Sequence, residues 1–594
     1  MTTAASEYRT RLAARRATAE MLARRERRIG SWRLAVFAGG AVIACLALAG
    51  RIDPWWLAVP ALAFAALILA HTRVIPERRR ADRAVQYYTR GLARLEDRWA
   101  SGGSHGERFI DAAHPYSGDL DLFGPGSLFE LLCTARTRAG EDALAAWLSA
   151  PAAPDEIVAR QGAVAELRPR LDLREQIAIV GAEVGDALHA DSLTAWASAP
   201  PLLASRGLRA AAAALVGAAV LACIAWLNGW TGPLPLGLAL LGEGLLALPL
   251  RKRVRAVIRS VELPARDLQL LAELLACIER ERFAAPRLEG LRAALDTGGQ
   301  PPSARIAQLQ RLINLLDARR NQLFAAVAPL LLWSTQIACA IEAWRAVSGP
   351  AVGRWLVAVG DFEALSALAT YAYEHPEDPF PEISAPGPLF DSSALGHPLL
   401  PRPRCVRNDV RLDDGVALLV VSGSNMSGKS TLLRTVGINA VLAQAGAPVC
   451  AARLRLSPLA VGTSMRIADS LQAGTSRFYA EIQRLRQLVD RAQGPRPLLF
   501  LLDEILHGTN SHDRRLGAEA VVRGLVARGA VGLITTHDLS LAAIVDGLAP
   551  RAANVHFEDH LENGRMTFDY RMRAGIVRKS NALELMRAVG LEVP

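Results

Sequence analysis

The stretch VVSGSNMSGKSTLLR, residues 420 to 434, puts a glycine-rich turn directly behind an apolar run and directly before a helical one. Few folds accept that order. A buried strand, Val416 to Val421, must end in exposed backbone, and a helix must begin at once. Gly423, Gly428, Lys429 and Ser430 fit the pattern G-x-x-x-x-G-K-[ST] of a phosphate-binding loop. Glycines let successive backbone N–H groups curl round an anion with no Cβ in the way. The pattern assigns Lys429 to the β- and γ-phosphates of a nucleotide and the Ser430 hydroxyl to Mg²⁺. Similar letters also arise in ordinary glycine-rich turns, so the rest of the chain has to decide.

Two further strand ends follow. PLLFLLDEILHGTN contains a buried strand, Leu498 to Leu502, that ends in Asp503 and Glu504 and so brings two carboxylates to the carboxyl edge of a sheet. Asp503 is expected to hold Mg²⁺ through water, and Glu504 to orient or deprotonate the attacking water. VGLITTHDLS is another buried strand, ending in His537, placed to sense the γ-phosphate or its water. An isolated Asp-Glu pair is usually an ordinary strand end, and an isolated His more often a satisfied core residue. Three such strand ends in this order are hard to obtain by chance. From about Arg404 short apolar runs alternate with helical ones, which predicts a largely parallel sheet and an α/β P-loop NTPase domain using ATP and Mg²⁺.

The rest of the chain has a different character. At 594 residues several domains are expected. A hydrophobic share of 51% and a mean hydropathy of +0.18 fit a membrane part joined to a soluble part. The seven cysteines are scattered, with no C-x-x-C pair, which argues for a reducing compartment and against structural zinc or a disulfide framework. The net charge of +10 invites a nucleic-acid reading, but its location explains much of it.

Nine arginines fall in the first 33 residues, followed by apolar residues from Leu34 to Gly50. A short RIDP turn, a second run, WWLAVPALAFAALILA, and the basic RVIPERRRADR come next. The pattern repeats: AAAALVGAAVLACIAWL and PLPLGLALLGEGLLALPL flank NGWTG and end in RKRVRAVIR. Each run approaches the roughly 17–25 residues that cross a bilayer. Trp32, Trp55, Trp56, Trp226 and Trp230 sit at the ends, and arginines crowd the outer flanks, so both hairpins are expected to start and finish in the cytoplasm. Buried core helices are the alternative, and the first pair is short enough to be re-entrant. The charged start is expected to be a retained anchor rather than a cleaved leader. A fifth run, Leu323 to Ile341, carries Ser334, Thr335 and Gln336 midway and is expected to be a buried helix, which keeps the phosphate loop on the ATP-containing side.

The nucleotide region resembles the ATPase domain of the MutS family. That family's loop reads G-P-N-M-G-G-K-S-T, and this chain has GSNMSGKST: Gly423, Asn425, Met426, Gly428, Lys429, Ser430 and Thr431 match, while Ser424 and Ser427 depart from Pro and Gly. DEILHGTN matches D-E-I-G-R-G-T-S, and TTH at 535 to 537 matches the A-T-H switch. ADSLQAGTSRFYAEI resembles the stretch ending G-R-S-T-F-x-x-E, with Ser476, Phe478 and Glu481 in register. The resemblance implies that Ser476 reaches into a partner's nucleotide site; an ordinary helix cap is physically compatible. It also implies that Asn408 approaches the nucleoside and that Tyr570, in a segment like the family's helical C-terminal end, stacks on adenine. GSLFELLCTARTRAGEDALAAWLSAP and GDFEALSALATYAYEHPEDPFPEI resemble parts of the family's core and lever, so the likeness runs from about residue 118 onward, interrupted by the second hairpin.

Six segments follow: a basic cytoplasmic segment 1–33; a transmembrane hairpin 34–75; a cytoplasmic helical core region 76–208; a second hairpin 209–250; a helical lever region 251–385; and the ATPase domain 386–594. The fold class expected is thus an ABC/MutS-type P-loop domain preceded by an all-α core and lever, with two transmembrane hairpins. Sequence matching the mismatch-reading domain is missing, and the only Phe-x-Glu triplet in question, Phe380-Pro381-Glu382, lies in a Pro-rich linker. The expected function is a membrane-anchored ATPase, multi-pass in the cytoplasmic membrane with its ATPase domain inside. It would form a homodimer through the ATPase domains and couple hydrolysis to movement of lever helices and spans. A membrane-tethered DNA-binding protein is the alternative, and whether DNA is a partner stays open. A transporter subunit fits less well: no L-S-G-G-Q signature precedes Asp503, and Glu243 inside the fourth run is the one feature in its favour.

Overall fold

The computed structural model describes residues 3–185, 188–203, 206–384, 387–424, 426–465, 477–506, 510–537, 539–562 and 565–577. The chain forms two compact units. One comprises Met1–Thr134, Glu141–Glu175 and Ala364–Pro594, the other Ala135–Gly140 and Gln176–Glu363.

The first unit begins with a helical hairpin. A helix over Ala4–Leu48 is capped by Thr3, whose side chain accepts the Ser6 N–H, and a helix over Ala58–Leu95 returns beside it. Small and branched residues form the seam: Leu22, Ile29, Val74 and Ala81 are buried, with Ala19, Leu67 and Ala70 packed against them. The boundary expected at residue 33 has no counterpart in the backbone, because basic and apolar segments belong to one uninterrupted helix. Alanine-rich sequence with no proline before Pro54 gives that helix no reason to stop sooner.

Ten strands follow in chain order: β1 Glu382–Ile383, β2 Phe390–Leu395, β3 Asn408–Leu412, β4 Leu418–Ser422, β5 Arg453–Leu456, β6 Ala460–Ser464, β7 Leu498–Asp503, β8 Val531–Thr536, β9 Ala552–Glu562 and β10 Arg565–Ala574. Six form a sheet in the order β10-β9-β4-β8-β7-β6, parallel from β9 to β6 and closed by an antiparallel β9–β10 edge. Strands β4 and β8 are buried at every residue, as a parallel sheet covered on both faces requires. The crossover from β4 is the helix Lys429–Ala445, itself almost wholly buried. The other four strands make a second sheet, β1-β5-β2-β3.

The second unit is helical. Its helices Arg206–Leu227 and Leu234–Glu279 pair as a hairpin, and the second runs on past the apolar stretch into a leucine core at Leu268, Leu271, Leu274 and Leu275. The Leu323–Ile341 run is split: one helix covers Gln322–Val327, Leu332 takes φ +45°, and a second helix begins at Trp333. Residues Ile337 to Ile341 are buried, but Ala325 to Val327, Pro329 and Leu330 are exposed, so the run is not the single buried helix expected. Among the described residues four helical segments are long and apolar enough to cross a membrane by length and composition: Ala4–Leu48, Pro54–Leu95, Gly207–Leu227 and Leu234–Glu279.

Candidate nucleotide site

The loop after β4 owes its shape to two glycines. Gly428 takes φ +103°, and a Cβ there would lie 3.1 Å from the Tyr570 ring; Gly423 takes φ +151°, and a Cβ would come within 2.8 Å of Ser427 Oγ. Between them Met426 (φ +72°) is exposed, and Ser427 is buried, donating its hydroxyl to the Ser424 carbonyl at 2.8 Å. Of the two serines that depart from the family pattern, Ser427 ties the base of the loop through its hydroxyl, and Ser424 contributes only the backbone carbonyl that accepts it. Among the described residues the buried Ser424 Oγ has no hydrogen-bond partner. Asn425 lies outside the described residues.

Lys429 begins the crossover helix and points back under the loop. Its Nζ donates to the carbonyls of Gly423 and Ser424 at 2.9 and 2.8 Å and sits 3.6 Å from Glu504 Oε1. Burial holds the ammonium below its ordinary pKa, and Glu504 and Asp503 oppose that shift. The carboxylates are set by β7 and β8. Thr535 donates its hydroxyl to Asp503 Oδ1 at 2.5 Å and accepts the Glu504 N–H at 3.0 Å, so one side chain fixes both acidic residues. Glu504 takes φ +49° and aims its carboxylate between Lys429 and His537, whose Nδ1 is 3.2 Å from Glu504 Oε1. Glu481 braces the turn that follows by accepting the Leu506 N–H at 2.5 Å.

These residues open on a cleft of about 800 Å³ lined by Lys429, Ser430, Thr431, Asp503 and Glu504 on its polar side. Leu395, Leu400, Val406, Phe557 and Tyr570 form an apolar side with Arg404 among them. Such a division suits a ligand with a charged tail and a flat apolar end. Asn408 also lines it, but its amide is occupied: Nδ2 donates to the Tyr570 carbonyl at 3.0 Å, and Oδ1 accepts the Met572 N–H at 2.8 Å. Asn408 thus holds the bulge in β10 that turns Tyr570, at φ +54°, toward the loop. Tyr570 belongs to a strand, not to the helical segment expected around it; the residues after 577 lie outside the described ones. Ser476 does too. The strand-end triad was readable in sequence, whereas Thr535, Arg404 and the Asn408 clasp were missed. TTH hinted at the first, and nothing local marked the other two.

A nucleotide with Mg²⁺ fits this donor set. Lys429 and the helix N-terminus at Gly428 line one cavity, and Ser430 and Asp503, which line it too, would supply hard oxygen ligands to the metal. Among the described residues no cluster of three or more His, Cys, Asp or Glu side chains is arranged to hold a metal. All seven cysteines are free thiols.

Comparison with known proteins places the cleft. Residues 419–593 match the family model for MutS domain V, which takes in every strand end described above. This region belongs to the MutS family as its domain V. Its similar relatives include the DNA mismatch repair protein MutS 2 of Halobacterium salinarum, 35% identical over 249 residues, or 41% of this chain and 28% of that protein. The endonuclease MutS2 of Thermus thermophilus is 31% identical over 213 residues, 34% of this chain and 27% of the relative. The DNA mismatch repair protein MutS of an Exiguobacterium species is 36% identical over 190 residues, 32% and 22% respectively. The chain therefore spans less than a third of the length of these relatives, and both apolar hairpins lie outside the matched domain V.

Proposed function

We propose that this MutS-family chain is a Mg²⁺-dependent ATPase whose nucleotide cycle moves the helices attached to it, and that its apolar hairpins anchor it in the cytoplasmic membrane with the cleft on the inner face. The observation that carries the coupling is a buried polar network in the unit that contains the cleft. Glu374 ends the helix Trp333–Glu374, and its carboxylate receives Arg94 Nε and Nη2 at 2.8 and 2.6 Å and the Tyr8 hydroxyl at 3.2 Å, all from the base of the first hairpin. Beside it, Glu175 receives Arg15 Nε at 2.7 Å and the Tyr88 hydroxyl at 2.5 Å.

The network continues toward the nucleotide. Tyr371, one helical turn before Glu374, donates to Asp378 at 3.2 Å, and Arg402 grips both oxygens of Asp378 at 2.9 and 2.5 Å while donating to Cys450 Sγ at 3.1 Å. The Cys450 N–H donates to Asn439 Oδ1 at 2.8 Å, and Asn439 Nδ2 donates to the carbonyl of Thr435, which lines the cleft. Buried ion pairs and hydrogen bonds of this kind tolerate few alternative arrangements, so displacement of the loop helix is felt at the hairpin base.

When bound, the nucleotide supplies the bond to be broken and Mg²⁺ offsets its charge. Lys429 would turn from the loop carbonyls to phosphate oxygens. Glu504, released from Lys429 and oriented by His537, would accept a proton from the attacking water. Ser430 and Asp503 would hold the metal, and Tyr570 would cover the base. In a homodimer Ser476 would complete the partner's site. A second reading, action on DNA, draws support from the relatives' names, and strand-selective stimulation of hydrolysis is its signature.

The test is hydrogen exchange across residues 4–16 and 84–95 with and without ATP, in the wild type and in Glu374→Gln, alongside ATPase assays with and without duplex, branched and mismatched DNA. Coupling predicts ATP-dependent exchange at the hairpin base that the variant loses while still hydrolysing. Hydrolysis with no change in exchange would rule coupling out. Stimulation by DNA of tenfold or so would favour the second reading.

A further inference from the structure

Below its apolar segment the first hairpin wears a collar of arginines. Residues 20–33 and 71–83 together hold ten arginines against four acidic residues. Two of those acids are drawn to one arginine: Arg78 lies 2.6 Å from Glu26 and 3.6 Å from Asp82. Arg24, Arg25, Arg27 and Arg28 on the first helix, and Arg73 and Arg79 on the returning one, are exposed. The seam behind them is filled by Leu22, Ile29, Val74 and Ala81, so these arginines face outward because the inner face is occupied.

Position and spread both matter. Above the collar the hairpin exposes Leu34, Phe37, Leu62 and Leu69, with Trp32, Trp55 and Trp56 at its ends. At 1.5 Å per residue, Arg28 to Arg24 lie about 6–12 Å below Trp32, within a side chain and a Debye length of any surface at that level. At 3.6 residues per turn they fan over an arc of about 160°, too wide for a single duplex groove and suited to a ring of small anions.

We propose that this collar binds the anionic phospholipid headgroups of the leaflet that the first hairpin enters. The proposal rests on the membrane reading above and adds a lipid selectivity to it. Headgroups are delivered to the collar by insertion of the apolar segment joined to it, and each arginine near the surface adds to the preference for negative lipid. Nucleic acid has no such delivery.

The experiment reconstitutes the full chain into nanodiscs of phosphatidylcholine and phosphatidylglycerol and counts retained lipids by native mass spectrometry. The comparison is the variant carrying Arg24→Gln, Arg25→Gln, Arg27→Gln and Arg28→Gln, all on exposed positions. The wild type is expected to retain phosphatidylglycerol about fivefold or more above its bulk share, and the variant to incorporate equally well with retention near the bulk ratio. Equal enrichment in both proteins, or none in either, overturns the collar and leaves the anchor standing. Failure of the wild type to enter nanodiscs at all overturns the anchor and the collar together. If the variant instead loses affinity for a fluorescent DNA duplex in detergent while lipid retention is unchanged, the collar is a nucleic-acid surface and the proposal is wrong.

Discussion

Arg94 and Glu374 form a two-pronged ion pair that joins the second helix of the first hairpin to the end of the helix Trp333–Glu374. Their side chains are 11% and 1% exposed. Removing one partner strands the other charge in a dry site, which typically costs 3–5 kcal/mol, whereas replacing both by apolar residues costs far less. Glu374→Leu and Arg94→Met are each expected to lower stability by about that amount, and the double variant by less than the sum of the two. Denaturant unfolding in detergent measures the cycle. Additive effects under 1 kcal/mol in each single variant would show that the pair holds nothing.

The loop and its carboxylates separate binding from chemistry. Lys429→Ala is expected to abolish nucleotide binding, since Lys429 is the cation that reaches beneath the loop carbonyls. Glu504→Ala should keep binding and lose turnover by two or more orders of magnitude, because a positioned general base contributes on the order of 10²–10⁴. Equilibrium binding of a fluorescent ATP analogue beside phosphate release distinguishes the two. Wild-type turnover in the Glu504 variant would remove that residue from the chemistry.

Much of this site was legible because its chemistry sits at strand ends, where an apolar run followed by Asp503-Glu504 or His537 fixes both the element and the direction of the side chain. The parallel sheet followed from the same runs. What escaped was held by tertiary geometry. Asn408 and Tyr570, 162 residues apart in sequence, meet at a bulge in β10. The second sheet is built from segments such as RLRL and NDVRL, whose polar alternation is that of half-buried strands but is too short to stand out. The basic residues up to Arg33 and the apolar run after them share one helix, because a helix backbone is indifferent to which side chains its exposed face carries. Tyr8, Tyr88 and Arg94 read as ordinary helix residues until the fold brings Glu374 and Glu175 to them.

Thr535 is a positioning residue that touches both acids. Thr535→Val keeps the shape and the β propensity but removes the hydroxyl, so Asp503 loses a donor and the Glu504 N–H loses an acceptor. Turnover is expected to fall roughly 10- to 100-fold, because small misplacements of reacting groups are costly. The KM for ATP should change little, and Thr535→Ser should restore most of the rate. A raised KM with kcat preserved would assign the residue to binding instead.

Glu363 ties pH to the stability of the second unit. Its buried carboxylate accepts the N–H groups of Arg136 and Thr137 at 3.1 and 3.2 Å and the Thr137 hydroxyl. Burial nevertheless outweighs these bonds and pushes its pKa from 4.5 up to about 7. Below about pH 4.5 the group is protonated whether the chain is folded or not, and it costs nothing. Between there and pH 7 the unfolded chain releases the proton while the folded one keeps it, so stability falls as pH rises, by roughly 3 kcal/mol in full above pH 7. Glu363→Gln does not titrate. It carries a constant offset for its mismatched amide but has no slope from this position. The difference in unfolding free energy between wild type and variant, measured from pH 5 to pH 8, is therefore expected to shift in favour of the variant as pH rises. A difference that stays flat across that range would mean that Glu363 ionises normally in the folded chain.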